Sequence, residues 1–385
     1  MRSYLAVFLV SAGMVLVVTP LVRLLARAIG AIDQPSDRKV HPKPTPTLGG
    51  IGLMVGILAG LGLAYQSPEF GPLFRQSSEL QGTVLAALVL CGIGVIDDIR
   101  ALSAPAKAAG QILASGLLIL NGVQLLFFWF PTQGVISLGA DLAVPLTVMW
   151  VLLMVNAVNL MDGLDGLAAG IVAIAAAGFF VYAYQGPTNF GEPLATAALL
   201  CAVATGACVG FLPYNFYPAR IFMGDSGSMP LGLLLAASTI SGVGRTIQPP
   251  SGGDLAAFSI PILIPLIVLA IPLADVGLAI VRRMRRGRAI FAPDKEPIHH
   301  QLREIGHTQR QAVLLMYFWS LLLAGSALAI TFIDGRAVVG SIVGAALLLI
   351  GATFIPRRIR ESRRARRAAE IAEGAPDPTM GTKPV

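Results

Sequence analysis

Residues 144–166 read VPLTVMWVLLMVNAVNLMDGLDG, and this stretch decides the fold. Its first part is almost wholly apolar, and about 20 such residues are enough for a helix to cross a bilayer. Two amides, Asn156 and Asn159, interrupt the apolar run near its end, and two carboxylates, Asp162 and Asp165, follow it. The stretch therefore predicts a membrane-spanning helix that delivers polar side chains to one membrane surface.

The whole chain has the composition of an integral membrane protein. Of its 385 residues, 55% are hydrophobic and 13% are charged, whereas soluble proteins carry about a quarter charged residues. We predict an all-α polytopic membrane protein with about eleven transmembrane helices. Their approximate limits are 3–22, 47–65, 80–96, 105–121, 144–161, 166–184, 194–213, 229–243, 257–281, 312–332 and 337–355. A small hairpin outside the bilayer core is predicted between residues 123 and 141.

The distribution of Lys and Arg predicts the orientation. If the N-terminus is outside, the outer loops hold only Arg2, Arg75, Arg245 and Arg336. Every other basic residue then falls inside, as the positive-inside rule requires, and the C-terminus is inside as well. We expect one transmembrane domain over residues 1–356 and a basic, disordered cytoplasmic tail over residues 357–385. The charge of the tail suits anionic membrane lipids, and no nucleic-acid partner is expected.

In this orientation the acidic clusters and all four histidines lie on the cytoplasmic side, as if they lined one site. Asp97 and Asp98 close the third span. A solvated helix end is the simplest interpretation of such a pair. Negative charge at a helix C-terminus is unfavourable, however, so we expect a divalent cation or a nearby Lys or Arg to offset it.

The two asparagines of the opening stretch lie three positions apart and therefore share a helix face. Amide groups in lipid are costly unless they have partners. A capped helix end, with Asp165 as the cap of the sixth span, would explain only one of the four polar residues.

A second glycine-rich stretch, Phe222-Met-Gly-Asp225-Ser-Gly-Ser228, opens the eighth span. Its glycines permit close backbone approach, and a helix N-terminus attracts anions. The simpler alternative is that Asp225 or Ser226 is only an N-cap. The sequence alone leaves both interpretations open.

His299 and His300 follow a basic run, Arg282 to Arg288. No Cys or third His completes a zinc set, so we interpret them as phosphate-binding donors. Oxygen ligands for a hard cation beside cationic donors favour Mg²⁺-assisted phosphoryl transfer. A transporter is the alternative from another class, but the chain has no internal repeat and its acidic clusters lie at one face.

Five motifs together resemble the polyprenyl-phosphate N-acetylhexosamine-1-phosphate transferases, a superfamily that includes the phospho-MurNAc-pentapeptide transferases. The motifs are Asp33–His41 with Gly49-Gly50, Asp97-Asp98, Asn156–Asp165, Asn215–Asp225 and Arg282–His300. The first motif favours the branch that uses simple N-acetylhexosamines. The last lies between the two branches, since Pro297 replaces the first His of one pattern and Gln301 the third His of the other.

The resemblance implies transfer of an N-acetylhexosamine-1-phosphate from a UDP-sugar to undecaprenyl phosphate with release of UMP. GlcNAc is the favoured sugar, and the product would start lipopolysaccharide or teichoic acid synthesis. The alternative donor is the MurNAc-pentapeptide of peptidoglycan synthesis. The resemblance further implies an inner-membrane protein with a cytoplasmic active site and Mg²⁺ as cofactor; Mn²⁺ and a homodimer are left open.

The resemblance also implies a role for each motif residue. Asp225 would bind the metal with support from Asn159, and Phe222 would stack on uracil near Asn215 and Asp165. The residues expected to be catalytic are Asp97, Asp98, Asp162, His299 and His300. The two histidines, together with Arg38, Lys39 and His41, would hold phosphates or the sugar.

Overall fold

The computed structural model describes residues 1–35, 43–130, 134–185, 192–243 and 308–332, with isolated positions at 340, 344, 345 and 347. The predicted span at 257–281, most of that at 337–355 and the tail at 357–385 lie outside the described residues. So do five predicted site residues: Arg38, Lys39, His41, His299 and His300.

The described chain is almost entirely helical. The helices are α1 Arg2–Ala28, α2 Gly49–Gln66, α3 Gly71–Gln76, α4 Glu79–Ile99, α5 Ala104–Leu120, α6 Ala140–Met161, α7 Leu167–Gln185, α8 Glu192–Asn215, α9 Asp225–Val243 and α10 Gln309–Phe332. Two antiparallel strand pairs complete it, β1 Ile32–Asp33 with β2 Thr45–Pro46 and β3 Phe127–Phe130 with β4 Gly134–Ser137.

Seven of the described helices are long and apolar enough to cross a membrane, namely α1, α2, α4, α6, α7, α8 and α10. This confirms the prediction of an all-α polytopic membrane protein. Helix α5 is a shorter apolar helix, and α9 carries five hydroxyl side chains within its 19 residues. The total of about eleven spans and the orientation in the membrane stay predictions.

The hairpin predicted between residues 123 and 141 is confirmed by the pairing of β3 with β4. The pairing of β1 with β2 was not predicted, since each strand has only two residues. This small ladder holds the Asp33 segment against the start of α2.

Small residues allow α1 to pack closely against two neighbours. Helix α2 presents Gly52, Gly56 and Gly60 to α1, and α8 presents Gly206 and Gly210. A side chain at Gly56 or Gly206 would collide with α1. Such spacing of small residues is typical of membrane helix interfaces, where close backbone approach replaces the hydrophobic driving force.

Helix α9 lies at the centre of the site-bearing part of the bundle, packed against α4, α6 and α8. The loops meet at its N-terminal end. Thr47 donates its backbone N–H to Ala31 O (3.0 Å), and Phe222 donates to Pro46 O (2.8 Å). The described loops that carry the predicted motifs therefore gather at one end of the bundle, as expected from the sequence.

Candidate active site

The carboxylate of Asp225, the first residue of α9, has partners on two other helices. Its Oδ2 lies 2.7 Å from Lys107 Nζ on α5, and its Oδ1 accepts a 2.7 Å hydrogen bond from Asn159 Nδ2 on α6. Asn159 also donates to Ser228 Oγ one turn further along α9 (3.0 Å). The site residue predicted to bind metal is thus held in place by a lysine and an amide.

Lys107 also pairs with the acidic residues at the end of α4. Its Nζ lies 2.7 Å from Asp97 Oδ2, so one ammonium group bridges Asp97 and Asp225. Asp97 Oδ1 accepts the backbone N–H of Leu102 (2.7 Å). The expected positive partner of the Asp97-Asp98 pair is therefore a lysine at the start of the next helix.

Asp98 caps α9 from outside that helix. Its two carboxylate oxygens accept the backbone N–H groups of Asp225 (2.9 Å) and Ser226 (3.2 Å). Gly224 makes the turn into α9 with a φ of +68°, a conformation that glycine adopts without strain. The alternative that Asp225 or Ser226 merely caps α9 is wrong, because the cap comes from α4 and the Asp225 carboxylate faces Lys107 and Asn159.

Two glycines permit this close assembly at the start of α9. A Cβ atom on Gly94 of α4 would collide with the backbone of Asp225 and Ser226. A Cβ atom on Gly50 of α2 would collide with the backbone of Ser226 and Gly227. Helices α2 and α4 therefore touch the N-terminus of α9 directly through their backbones.

Asp162 directly follows α6 and lies beside the same cluster. The pKa of its carboxyl is raised well above its usual range, because the surrounding protein desolvates it and the negative charges of Asp225 and Asp98 lie nearby. The backbone N–H of Gly224 offsets part of this effect. Asp162 thus holds its proton to a higher pH than an exposed aspartate does.

Asn156 is paired with a glutamine that the sequence analysis did not single out. Asn156 Nδ2 donates to Gln111 Oε1 (2.8 Å) on α5, and Gln111 Nε2 lies 3.5 Å from Asn156 Oδ1. Gln111 is one helical turn after Lys107, as Asn156 is about one turn before Asn159. The two amides predicted to need partners both have them, and the partners lie on α5 and α9.

A neighbouring group of residues fixes the loop between α8 and α9. Asp165, 8% exposed, accepts the backbone N–H of Ala219 (2.9 Å). Asn215, 1% exposed, accepts from Gly166 N–H (3.1 Å) and donates to Ile221 O (3.1 Å). The predicted nucleotide-pocket residues therefore join the α6–α7 turn to the loop that precedes Asp225.

Phe222 is half-buried and stands in the α8–α9 loop, between Asn215 and Asp225 in the sequence. Its N–H donates to Pro46 O, and its carbonyl accepts from Gly49 N–H (2.9 Å). Helix α10 supports the same loop region, since Tyr317 Oη donates to Gly166 O and Arg310 Nε to Tyr217 O (3.2 Å).

No set of three His, Cys, Asp or Glu side chains converges at metal-ligating distance within the described residues. Two carboxylates, those of Asp97 and Asp225, do flank one position, and the cation at that position is the Lys107 ammonium. Carboxylate and amide oxygens are the ligands that Mg²⁺ prefers, so this donor set has the chemistry for such an ion.

Lys107 and Gln111 are site residues that were not predicted from the sequence. A signal was available, because a lysine and a glutamine four positions apart share one face of an otherwise apolar helix that directly follows Asp97-Asp98. Polar groups on a membrane-facing helix need partners, and the nearest unmatched charges were these two aspartates.

In the described fold, carboxylates, amides and a lysine converge at one end of a bundle of helices that are long and apolar enough to cross a membrane. The sequence profile of glycosyl transferase family 4 matches residues 80–243, which include most of this cluster. The chain is 39% identical over 365 residues to a decaprenyl-phosphate N-acetylglucosaminephosphotransferase of Mycobacterium leprae, covering 92% of this chain and 91% of the relative.

Two further relatives mark the breadth of the group. A probable undecaprenyl-phosphate N-acetylglucosaminyl 1-phosphate transferase of Bacillus subtilis is 36% identical, with 84% of each chain covered. A phospho-N-acetylmuramoyl-pentapeptide-transferase of Desulforudis audaxviator is 31% identical, covering 84% of this chain and 95% of the relative. The chain belongs to the polyprenyl-phosphate N-acetylhexosamine-1-phosphate transferases of glycosyl transferase family 4.

Proposed function

We propose that this protein transfers GlcNAc-1-phosphate from UDP-GlcNAc to a polyprenyl phosphate and releases UMP. The observation that carries the proposal is the cluster at the start of α9, where Asp225 contacts both Lys107 and Asn159 and Asp98 caps the helix. The names of the more similar relatives support the sugar and the class of acceptor. Those names include both decaprenyl and undecaprenyl phosphate, so the acceptor is proposed as a polyprenyl phosphate of either length.

The favoured mechanism is a single in-line attack by the lipid phosphate on the sugar-bearing phosphorus of the donor. A phosphate monoester loses its second proton near pH 6, so the acceptor is largely dianionic at neutral pH and needs little help from a general base. The new P–O bond forms to the acceptor oxygen as the bond to the UMP oxygen breaks. UMP leaves with the electron pair of that bond.

The position of Asp98 favours this path over a two-step path through an aspartyl-phosphate. A nucleophilic carboxylate needs an oxygen that is free to attack phosphorus. Both oxygens of Asp98 accept backbone N–H groups of α9, and Asp97 is held by Leu102 N–H and Lys107. We therefore assign Asp98 to positioning Asp225, and Asp97 to holding Lys107 beside Asp225 before the substrates bind.

The donor set at Asp225 fits a Mg²⁺ ion, with Asp225 and Asp97 as carboxylate ligands and Asn159 as the supporting amide. When bound, Mg²⁺ would neutralise charge on the pyrophosphate of the donor. Lys107 would then turn from the carboxylates toward a phosphate, since its four-carbon stem lets the ammonium reposition.

The nucleotide is proposed to lie over the loop between α8 and α9. Asp165 and Asn215 brace that loop, and Phe222 offers an aromatic ring for the uracil base. Arg38, Lys39, His41, His299 and His300 are proposed to hold the phosphates or the sugar. With the orientation predicted from basic residues, the site faces the cytoplasm of a bacterial inner membrane.

Two other functions are the alternatives to this proposal, and the observations support them less well. A MurNAc-pentapeptide donor is favoured only by the Pro297–Gln301 loop and by relatives of lower identity. A transporter would place its polar site near the bilayer midplane, whereas this cluster lies at helix ends. Uptake of labelled UDP-GlcNAc into sealed vesicles without a lipid product would favour the transporter.

The test uses the full-length protein in detergent with undecaprenyl or decaprenyl phosphate and Mg²⁺. UDP-GlcNAc, UDP-GalNAc and UDP-MurNAc-pentapeptide are supplied separately, and both UMP and lipid product are measured beside an Asp225→Ala variant. We expect turnover of UDP-GlcNAc that requires Mg²⁺ and disappears in the variant. Turnover of the pentapeptide donor alone would reject the sugar assignment, and no UMP from any donor would reject the transferase proposal.

The path itself is tested with a donor that carries a chiral thiophosphate at the transferred phosphorus. A direct attack inverts the configuration, and two successive displacements retain it. Retention would exclude the direct mechanism.

A further inference from the structure

A basic cluster lies at the end of α1, and one of its members, Arg220, belongs to the loop between α8 and α9. Arg23 and Arg27 lie one turn apart on this helix, and the contact of Tyr214 with Leu16 brings the segment that carries Arg220 to the same end of α1. Arg27 and Arg220 are exposed, whereas the Nε atom of Arg23 is buried and has no hydrogen-bond partner among the described residues. Three like charges at one end of a helix repel one another, and an anion between them would offset this repulsion.

The packing of α8 against α1 brings Arg220 to this place. Helix α8 meets α1 at three successive positions. Gly206 faces Phe8, Gly210 faces Ala12, and Tyr214 contacts Leu16. Tyr214 Oη donates to Leu16 O (2.9 Å), and the chain then turns back so that Arg220 N–H donates to Tyr214 O (2.8 Å). Arg220 is therefore fixed beside the last turns of α1 by backbone contacts.

The charge cluster has no counter-ion from the part of the chain that the structure describes. The ion pairs there join Lys107 to Asp97 and Asp225, and neither of them includes Arg23, Arg27 or Arg220. An uncompensated cluster of guanidinium groups is suited to a phosphate, which accepts several N–H donors at once.

An apolar surface leads directly to this cluster. Leu9, Leu16 and Arg23 lie seven positions apart, so they share one face of α1. Leu9 is 56% exposed and Leu16 is 39% exposed. In a membrane-spanning helix this face contacts acyl chains, so a phosphate at Arg23 and a hydrocarbon chain along Leu16 and Leu9 match the two parts of one lipid.

We propose that Arg23, Arg27 and Arg220 form a binding site for an anionic membrane phospholipid, with the acyl chain along the Leu9–Leu16 face of α1. The net negative headgroup distinguishes such a lipid from phosphatidylcholine, whose choline cation would be repelled by the arginines. The site lies beside the β1–β2 ladder and the loop that leads to Asp225. Lipid bound there would steady the end of the bundle that carries the catalytic cluster.

The test measures phosphatidylglycerol binding to the delipidated full-length protein in detergent by native mass spectrometry, with phosphatidylcholine as the comparison lipid. An Arg27→Gln/Arg220→Gln variant removes two exposed charges of the cluster. An Arg2→Gln/Arg75→Gln variant removes two exposed charges at the opposite end of the bundle and serves as the matched control. Loss of two lipid-facing charges is expected to weaken phosphatidylglycerol binding by about 30-fold, while the control keeps the parental affinity.

Two further results are expected. Binding to the parent protein should weaken as NaCl is raised, because salt screens the exposed charges. An Arg27→Lys/Arg220→Lys variant should retain most of the preference for phosphatidylglycerol over phosphatidylcholine, which also shows that the fold survives substitution at both positions.

Several outcomes would overturn the proposal. Equal phosphatidylglycerol binding by the Gln variant and the control would do so, as would equal binding of the two lipids by the parent protein. Loss of undecaprenyl phosphate binding with phosphatidylglycerol binding intact would assign the cluster to the acceptor. A change in the monomer–dimer ratio without a change in lipid binding would assign this face to a second copy of the chain. None of these measurements depends on transferase activity.

Discussion

Lys107 Nζ lies 2.7 Å from Asp225 Oδ2, although the two residues are 118 positions apart in the sequence. The contact joins the start of α5 to the start of α9, and the same ammonium reaches Asp97 at the end of α4. One lysine thus compensates two carboxylates from different helices. Its removal leaves two partly buried negative charges close together, and this gives the first prediction.

Replacement of Lys107 by Ala should lower kcat/KM by about 100-fold or more, because a charge aimed at the reacting phosphates is lost. The variant should also bind Mn²⁺ more tightly than the parent, since Asp97 and Asp225 no longer have a competing cation. Radiolabelled product formation and Mn²⁺ electron paramagnetic resonance measure the two effects. Arg100→Ala is the matched control, because it removes an exposed charge just after α4, two positions from Asp98. Wild-type kcat/KM in the Lys107 variant would contradict the role assigned to this lysine.

The second prediction concerns Asp98 as the cap of α9. Replacement by Ala leaves the N–H groups of Asp225 and Ser226 without an acceptor, so the protein should lose about 1–2 kcal/mol of stability together with activity. Asp98→Asn keeps one acceptor oxygen and should recover part of the stability but little of the activity. Thermal unfolding in detergent and kcat measure these effects. Full activity of Asp98→Asn would show that the charge at the start of α9 is not needed.

A test for a covalent intermediate accompanies this prediction. The parent protein is incubated with UDP-GlcNAc that carries ³²P in the transferred phosphate and then denatured. No label should stay on the protein, because both Asp98 oxygens are committed to α9. Label that is lost in Asp98→Ala but kept in Asp97→Ala would establish the two-step path.

The helices and their polar ends could be predicted from the sequence, whereas the contacts between helices could not. Apolar runs and the glycine-rich acidic turns predicted the helices and most of the cluster, because membrane helices need their polar groups satisfied locally. The identity of the partners could not be predicted in this way. Lys107 and Gln111 become site residues only through the packing of α5 against α6 and α9, and periodicity gives no rotation of one helix relative to another.

The role of Asp98 as the cap of α9 is a second contact that could not be predicted from the sequence. From the sequence, a helix that starts with Asp225-Ser226 could supply its own cap. The structure instead provides the cap from α4, because Gly94 and Gly50 let that helix and α2 approach the first turn of α9. Contacts between residues more than 100 positions apart are not encoded in any local pattern.

The third prediction concerns the amide pair of Gln111 and Asn156, which lies one turn from both Lys107 and Asn159. Each single Ala substitution should lower kcat by about tenfold by letting α5 and α6 shift relative to Asp225. The double variant should be little worse than either single one, since the two groups act as a unit, with a coupling of about 0.5–2 kcal/mol. Ser115→Ala, one turn further along α5 and bonded to Gln111 O (2.8 Å), is the matched control. If the free-energy changes calculated from kcat were strictly additive in the double variant, the two amides would not act as a unit.

The fourth prediction uses two glycines of the same helix. Gly94 faces the backbone of Asp225 and Ser226, whereas a Cβ atom on Gly92 would have no neighbour within 4 Å. In a helix interior, replacement of Gly by Ala is favourable by about 1 kcal/mol when space allows. Gly92→Ala should therefore keep or raise the melting temperature and leave kcat unchanged. Gly94→Ala must push α4 away from α9, which separates Asp98 from the N–H groups that it caps, so both melting temperature and kcat should fall sharply. Since the two substitutions add the same methyl group to the same helix two positions apart, equal behaviour of the two variants would mean that α4 and α9 do not meet as closely as the cap requires.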